Sequence, residues 1–325
     1  MTAYAPHYVS TERPNPGVQT EPCAGSFSRH EPFPAAQALW HPGERHSERR
    51  KVVITRSSAT QVILRPGIRL IDAVEEAVRK TGSDCAQIEL SGGTLRRISH
   101  CIPACSPDGS TAMSYSGTRE GVSPAQLLTA SASFGYRDRK RFMHCHAAWL
   151  DGNGEIRAGH LWPETTLGEV PVYAVVHSLP GVALRNEQDS ETEMPAFRPH
   201  SEVGSAEATP GRRAAICRIL PGEDITEAAE AVCVDFGFER GIVRGSLGSF
   251  VGAWLHTGAG GVAVVDGPAT EVVNVVGTVG RDASGSPTSE LTTMLVDRYG
   301  TVHAGKILRG NNLVAVTFEL FIVED

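Results

Sequence analysis

The sequence predicts an α+β protein of two tandem domains, each a β-sheet packed with one main helix. Three observations carry this reading. A short amphipathic helix led by Pro-Gly occurs twice, a long hairpin occurs twice at the same spacing, and runs rich in β-branched residues fill most of the remainder. One helix against several strands in each repeat is the α+β pattern.

Residues 1–50 mix Pro, Ser, His, Glu and Arg in no apolar period and end in the charged run His46-Ser-Glu-Arg-Arg-Lys51. Such a segment buries too little apolar surface to offset its ordering entropy, so a disordered tail is expected there. A strand is expected over 52–64. The first helix follows in Pro66-Gly67-Ile-Arg-Leu-Ile-Asp-Ala-Val-Glu-Glu-Ala-Val78, with Leu70, Val74, Ala77 and Val78 as its apolar stripe and Gly82 as its stop. Next comes the strand Ala86-Gln-Ile-Glu-Leu-Ser91, which ends on two glycines. These elements place a first domain at 51–186.

Asn186-Glu-Gln-Asp-Ser-Glu-Thr-Glu193 and the Pro/Gly-bearing stretch after it read as a linker over 187–212. The second domain, 213–325, repeats the helix in Pro221-Gly222-Glu-Asp-Ile-Thr-Glu-Ala-Ala-Glu-Ala-Val232, where Asp224 can cap with Glu227 three residues on. Its strand Gly241-Ile-Val-Arg-Gly-Ser246 again runs into small residues. Further strands are expected over 170–176, 262–265, 272–279 and 313–323.

The hairpins carry the chemistry. In His144-Cys-His146, residues two apart on a strand share one face, so both imidazoles point one way and Cys145 the other. Asp151-Gly-Asn-Gly154 reads as the turn, and a turn centred near Asn153 sets His160 opposite His146, with Cβ atoms roughly 5 Å apart. Three imidazoles are the ligand set of a catalytic-type zinc site whose fourth position is left for water or substrate. The second hairpin, Glu290 to Lys306, has the same spacing but places Glu290, Thr292 and Lys306 where the histidines stand. That copy has lost the ligands and reads as structural or interfacial.

A net charge of −7 argues against a general electrostatic grip on nucleic acid or anionic membrane. No run of about 18 apolar residues could span a bilayer, and the N-terminus lacks a signal-peptide core. Seven cysteines, odd in number and mostly scattered, fit reduced thiols, and a cytoplasmic location is expected. His100-Cys101 and Cys105 lack a second pair at metal-binding spacing and read as buried thiols. There is no P-loop, dinucleotide fingerprint or nucleophile elbow.

Leu220-Pro-Gly-Glu-Asp-Ile, Gly245-Ser-Leu-Gly-Ser249, Pro268-Ala-Thr-Glu-Val-Val-Asn-Val-Val-Gly277 and the histidine hairpin resemble the PPC domain, the plant and prokaryote conserved domain, in two tandem copies. The resemblance covers roughly 52–185 and 213–325 and is closer in the second copy, except at the hairpin. It implies a strongly bent antiparallel sheet with one helix, trimer-like assembly of subunits, and a three-histidine metal site carried to His144, His146 and His160. Plant members bind DNA through an added Arg-Gly-Arg-Pro hook, which this sequence lacks.

Zinc is the expected metal, though imidazole also suits other divalent transition ions. Glu164 and Glu89 are the candidate proton acceptors for a metal-bound water. Arg96, Arg97 and Arg185 are candidates to grip a substrate carboxylate. For Glu164 and the three arginines, an ordinary surface role is the competing reading. The basic run Arg137-Asp-Arg-Lys-Arg141 reads as a solvated loop that could also steer an anion. The expected function is therefore zinc-dependent hydrolysis, deamination or isomerisation of a small organic acid or amide by a homo-oligomer. The alternative is a DNA-associated or regulatory binding protein with a structural or sensing metal.

Overall fold

A computed structural model gives the structure and describes residues 39–202, 210–258 and 260–325. Two antiparallel sheets organise it. The first runs, in spatial order, Ala59–Ile63, Tyr173–Ser178, Ala86–Ser91, Ala125–Arg137, Lys140–Leu150, Ile156–Leu161, Ser99–Cys101, Arg119–Glu120. The second runs, after an edge strand Arg50–Ser57 that has no counterpart in the first, Arg212–Ile219, Val314–Glu324, Arg240–Phe250, Thr270–Arg281, Pro287–Val296, Val302–Ile307, Ala253–His256, Val262–Val265. Position for position, the two orders correspond in chain sequence. The repeat seen in the helices and hairpins is thus a repeat of whole-sheet topology.

Each sheet buries one face under its own helix. Leu70–Arg79 sets Leu70, Val74, Ala77 and Val78 against Ile88, Leu90, Ala132, Phe134, Cys145 and Trp149. Ile225–Phe236 sets Ile225, Ala229 and Val232 against Val275, Leu291, Phe318 and Leu320. As expected, Asp224 caps the second helix, accepting the Thr226 and Glu227 N–H groups, which have no partner in the first turn. That helix stops at Gly237, whose left-handed φ of 66° favours glycine. No helix of the described residues is long and apolar enough to cross a membrane.

Three boundaries differ from the sequence reading. The strand expected over 52–64 is two strands in different sheets. Arg50–Ser57 pairs with Arg212–Ile219 of the second sheet, and Ala59–Ile63 pairs with Tyr173–Ser178 of the first. Of the tail expected over 1–50, residues 1–38 lie outside the described residues, while the segment from Leu39 is seated on the second repeat. There His41 reaches the Ala315 carbonyl at 2.9 Å, while Arg49 pairs with Glu191, in the segment between the repeats, at 2.6 Å. In place of a linker over 187–212, Val182–Gln188 and Pro195–Ser201 form an antiparallel hairpin; 203–209 lie outside the described residues.

The face of the first sheet away from its helix is polar. Cross-strand register lines up Glu89, Ser131, His146 and His160 in one row, and Gln87, Ser133 and His144 in the next. This face packs on the second sheet, where Arg244 pairs with Glu89 at 2.7 Å, Gln87 donates to the Gly245 carbonyl, and Asn274 donates to Thr129 at 3.3 Å. The histidines therefore lie at the joint between repeats.

Candidate metal centre

The hairpin forms as its spacing predicts, with His146 directly opposite His160. Gly159 is what allows the next strand to close on it, because a Cβ there would stand 2.5 Å from the Cys101 carbonyl oxygen. His160 in turn pairs with Cys101. His144, His146 and His160 each offer a ligand atom, and Glu271 from the second repeat offers a fourth; all four atoms lie within 4.8 Å of one another. His146 and Glu271 are each 1% exposed and His160 8%.

The partners of these imidazoles fix what they present to the centre. His144 Nδ1 lies 2.7 Å from a Glu319 carboxylate oxygen, and His146 Nδ1 lies 2.8 Å from the Val272 carbonyl oxygen. Both acceptors require a proton on Nδ1, so each Nε2 turns a lone pair inward. Those two Nε2 atoms face each other at 2.9 Å, and the Glu271 carboxylate also closes on His146 Nε2. Atoms this close in a buried site need a positive charge between them, supplied either by a proton shared between the two rings or by a metal ion. His160 Nδ1, buried with no hydrogen-bond partner, fits the same demand. The donor set of three imidazoles and one carboxylate suits zinc and other first-row divalent ions.

Electrostatics follow the same division. Burial lowers the pKa of His144, but the Glu319 and Glu271 carboxylates outweigh it and the net shift is upward. His160 is pushed well below the ordinary histidine value by burial and by the two neighbouring histidines. Tyr115 and Trp162 wall the site, with ring centroids 5.8 and 4.7 Å from that of His160.

The other sequence candidates stand elsewhere. Glu164 is exposed on the turn after Pro163, close to Arg69 and Arg97. Glu89 shares the histidine face, but its carboxylate is bound by His177 at 3.0 Å and by both Arg244 nitrogens at 2.7 and 2.9 Å. Arg96 is exposed and donates to the Gly67 carbonyl; Arg97 is paired with Glu120 at 2.9 Å. Arg185 is exposed on the rim of a different cleft, with Tyr136 and Arg139. None of the five joins the cluster. The two residues that sequence reasoning missed, Glu271 and Glu319, sit in apolar runs, Thr270-Glu-Val-Val and Thr317-Phe-Glu-Leu-Phe. An ionisable residue inside such a run was the available signal.

Glu89 yields a pH prediction. Burial raises its carboxyl pKa, but the His177 and Arg244 hydrogen bonds outweigh this and hold it at about 2, against an ordinary 4.5. Because the folded value is the lower one, the contribution is complete above 4.5 and is lost as the pH falls toward 2. It amounts to about 3 kcal/mol. Urea unfolding at about pH 5 and about pH 3 should show a smaller acid loss for Glu89→Gln than for the parent; equal losses would refute the assignment.

Residues 206–324 match the family model of the Plants and Prokaryotes Conserved (PCC) domain. Among solved structures, the chain is similar to a metal-containing protein from Archaeoglobus fulgidus, with 23% identity and a TM-score of 0.36 over 45% of this chain and 96% of that one. It is similar also to a plant- and prokaryote-conserved protein of Pyrococcus horikoshii, with 17% identity and a TM-score of 0.35 over 45% and 94%. A candidate DNA-binding protein of Ralstonia eutropha JMP134 gives 17% identity and a TM-score of 0.34 over 42% and 88%. No curated protein matches.

Proposed function

We propose, from the PCC domain at residues 206–324 and the first repeat that shares its strand order, that this chain is a metal-dependent binding protein whose metal fastens the two repeats together. The observation that carries this is the origin of the ligands: three histidines from the first repeat and Glu271 from the second. A catalytic zinc site keeps one position open for water or substrate, whereas structural sites are closed by four protein ligands. Glu271 supplies that fourth ligand here, and neither Glu89 nor Glu164 is placed to take a proton from a bound water. This supports a structural or sensing metal over hydrolysis, deamination or isomerisation.

Bound metal would supply the positive charge that the inward-facing lone pairs and the Glu271 carboxylate lack. His144 and His146 are oriented by Glu319 and by the Val272 carbonyl, both from the second repeat, so two repeats that separate lose ligand and orienting partner together. Zinc is the first choice among ions that suit imidazole. Duplex DNA is the partner to test, since the Ralstonia eutropha relative is a candidate DNA-binding protein. Against a net charge of −7, any such grip would have to be local and steeply salt-dependent.

Elemental analysis of the purified chain should find about one transition-metal ion per copy of the site. Chelation should then raise hydrogen exchange at least about tenfold in Lys140–Leu150 and Thr270–Arg281, the strands that meet at the joint. Exchange unchanged by chelation would overturn the fastening role. Fluorescence anisotropy with duplex DNA, at low and moderate salt, decides the partner separately.

A further inference from the structure

We propose that Ala59–Ile63, the strand at the open edge of the first sheet, pairs with the same strand of a second copy of the chain across a twofold axis at Gln61. The repeats themselves indicate what such an edge takes. In the second sheet the corresponding strand, Arg212–Ile219, is covered along its whole length by Arg50–Ser57, antiparallel, from Arg50 opposite Ile219 to Ser57 opposite Arg212. Among the described residues, Ala59–Ile63 pairs with Tyr173–Ser178 alone, so its outer side carries no strand.

Two bonds fix the directions of its backbone. Leu64 N–H donates to the Val172 carbonyl at 2.9 Å, and Ser178 N–H donates to the Ser58 carbonyl at 3.1 Å. In an antiparallel pair such bonds fall on every second residue, so Ser58, Thr60, Val62 and Leu64 turn their peptide groups toward Tyr173–Ser178. Ala59, Gln61 and Ile63 turn theirs outward, one N–H and one C=O each. Antiparallel pairing about Gln61 sets it opposite the partner's Gln61, and sets Ala59 opposite the partner's Ile63. Every outward group of both strands then meets a complement. A slip of two residues in either direction loses one of these three pairs, so the twofold register is the one that satisfies the edge.

The side chains agree. Ala59-Thr-Gln-Val-Ile63 has no charge, proline or bulge, the features that keep free edges apart. By contrast, Arg119–Glu120 at the other end of the same sheet is two residues long and fully charged, and the edge strand Arg50–Ser57 carries Arg50, Lys51 and Arg56. Ile63 is 60% exposed and its cross-strand neighbour Tyr173 57% exposed. Pairing lays the partner's Ala59 beside Ile63 and extends that surface, with no like charges meeting at the axis. A contact this short falls below the roughly 1,000 Å² of a stable interface, so the dimer is weak and forms with rising concentration.

Sedimentation equilibrium of the full chain from about 5 µM to about 1 mM should show the mass rising from one chain toward two. Gln61→Lys, at an exposed position, sets like charges opposite each other at the axis and should weaken association at least tenfold with an unchanged melting temperature. Gln61→Pro, which removes an outward N–H that the single chain does not use, should weaken it as much. Hydrogen exchange at the Gln61 and Ile63 amides should slow as the concentration rises. A mass of one chain throughout, association that neither variant weakens, or exchange at these two amides that ignores concentration would each overturn the proposal.

Discussion

His146→Ala is expected to lower the affinity of the chain for zinc by more than about a hundredfold, beyond the range typical of losing an outer partner. The side chain is 1% exposed and sits between the other ligands, so no surface residue can swing in to replace it. Its removal also leaves the Val272 carbonyl without its donor and Glu271 without its nearest contact. In the parent, metal at a hundred times its dissociation constant should add about 2.7 kcal/mol of stability. For a protein of this size that raises the melting temperature by roughly 4 °C. The variant should show no such rise. Lys306→Ala provides the contrast. Lys306 occupies the position of His160 in the second hairpin, opposite Thr292, but is 45% exposed and tied to Glu290 at 2.5 Å. Its loss should leave both metal affinity and the metal-dependent melting shift unchanged. Equal zinc affinity in His146→Ala and the parent would remove the metal centre from the structure's function.

What could be read from the sequence divides by distance along the chain. The His146–His160 register was legible because a hairpin is local: an Asp-Gly-Asn-Gly turn and a two-residue period fix the pairing and the face. The two-repeat plan was legible for the same reason, helix by helix and hairpin by hairpin. Glu271 and Glu319 were not, since they enter from the other repeat and no spacing encodes that approach. The strand over 52–64 was misread as one because its apolar pattern continues across Ser57 and Ser58, while the pairing of its two halves is decided by partners more than a hundred residues away. The segment after Asn186 misled by composition. Its acids look like a solvated linker, yet Asp189 and Glu191 are buried against arginines and a histidine from distant segments, which offset the cost of taking them out of water.

That buried charge sets the second large effect: Asp189→Ala is expected to destabilise the protein by about 3–5 kcal/mol, the range for removing one partner of a buried ion pair. The Asp189 side chain is fully buried and gathers several donors. It accepts the Glu191 and Thr192 N–H groups at 3.0 and 2.9 Å and Arg218 Nη1 at 2.7 Å, with His46 at 3.2 Å and Arg198 at 3.6 Å beside it. Burial pushes its pKa up, but Arg218 dominates and holds it well below the usual carboxylate range. Alanine would leave the Arg218 guanidinium, 1% exposed, with only the Thr317 hydroxyl at 3.2 Å, and its Nη2 is already without a partner. The same change would unfasten the hairpin tip from the segment that carries His46 into Arg50–Ser57. Since most of the loss comes from the stranded cation, Asp189→Ala combined with Arg218→Met should recover more than about half of it. Urea unfolding of the two single variants and the double variant measures the coupling directly. Losses that simply add would show that the pair does not act as a unit, and that the hairpin is held by Arg49 and Glu191 alone.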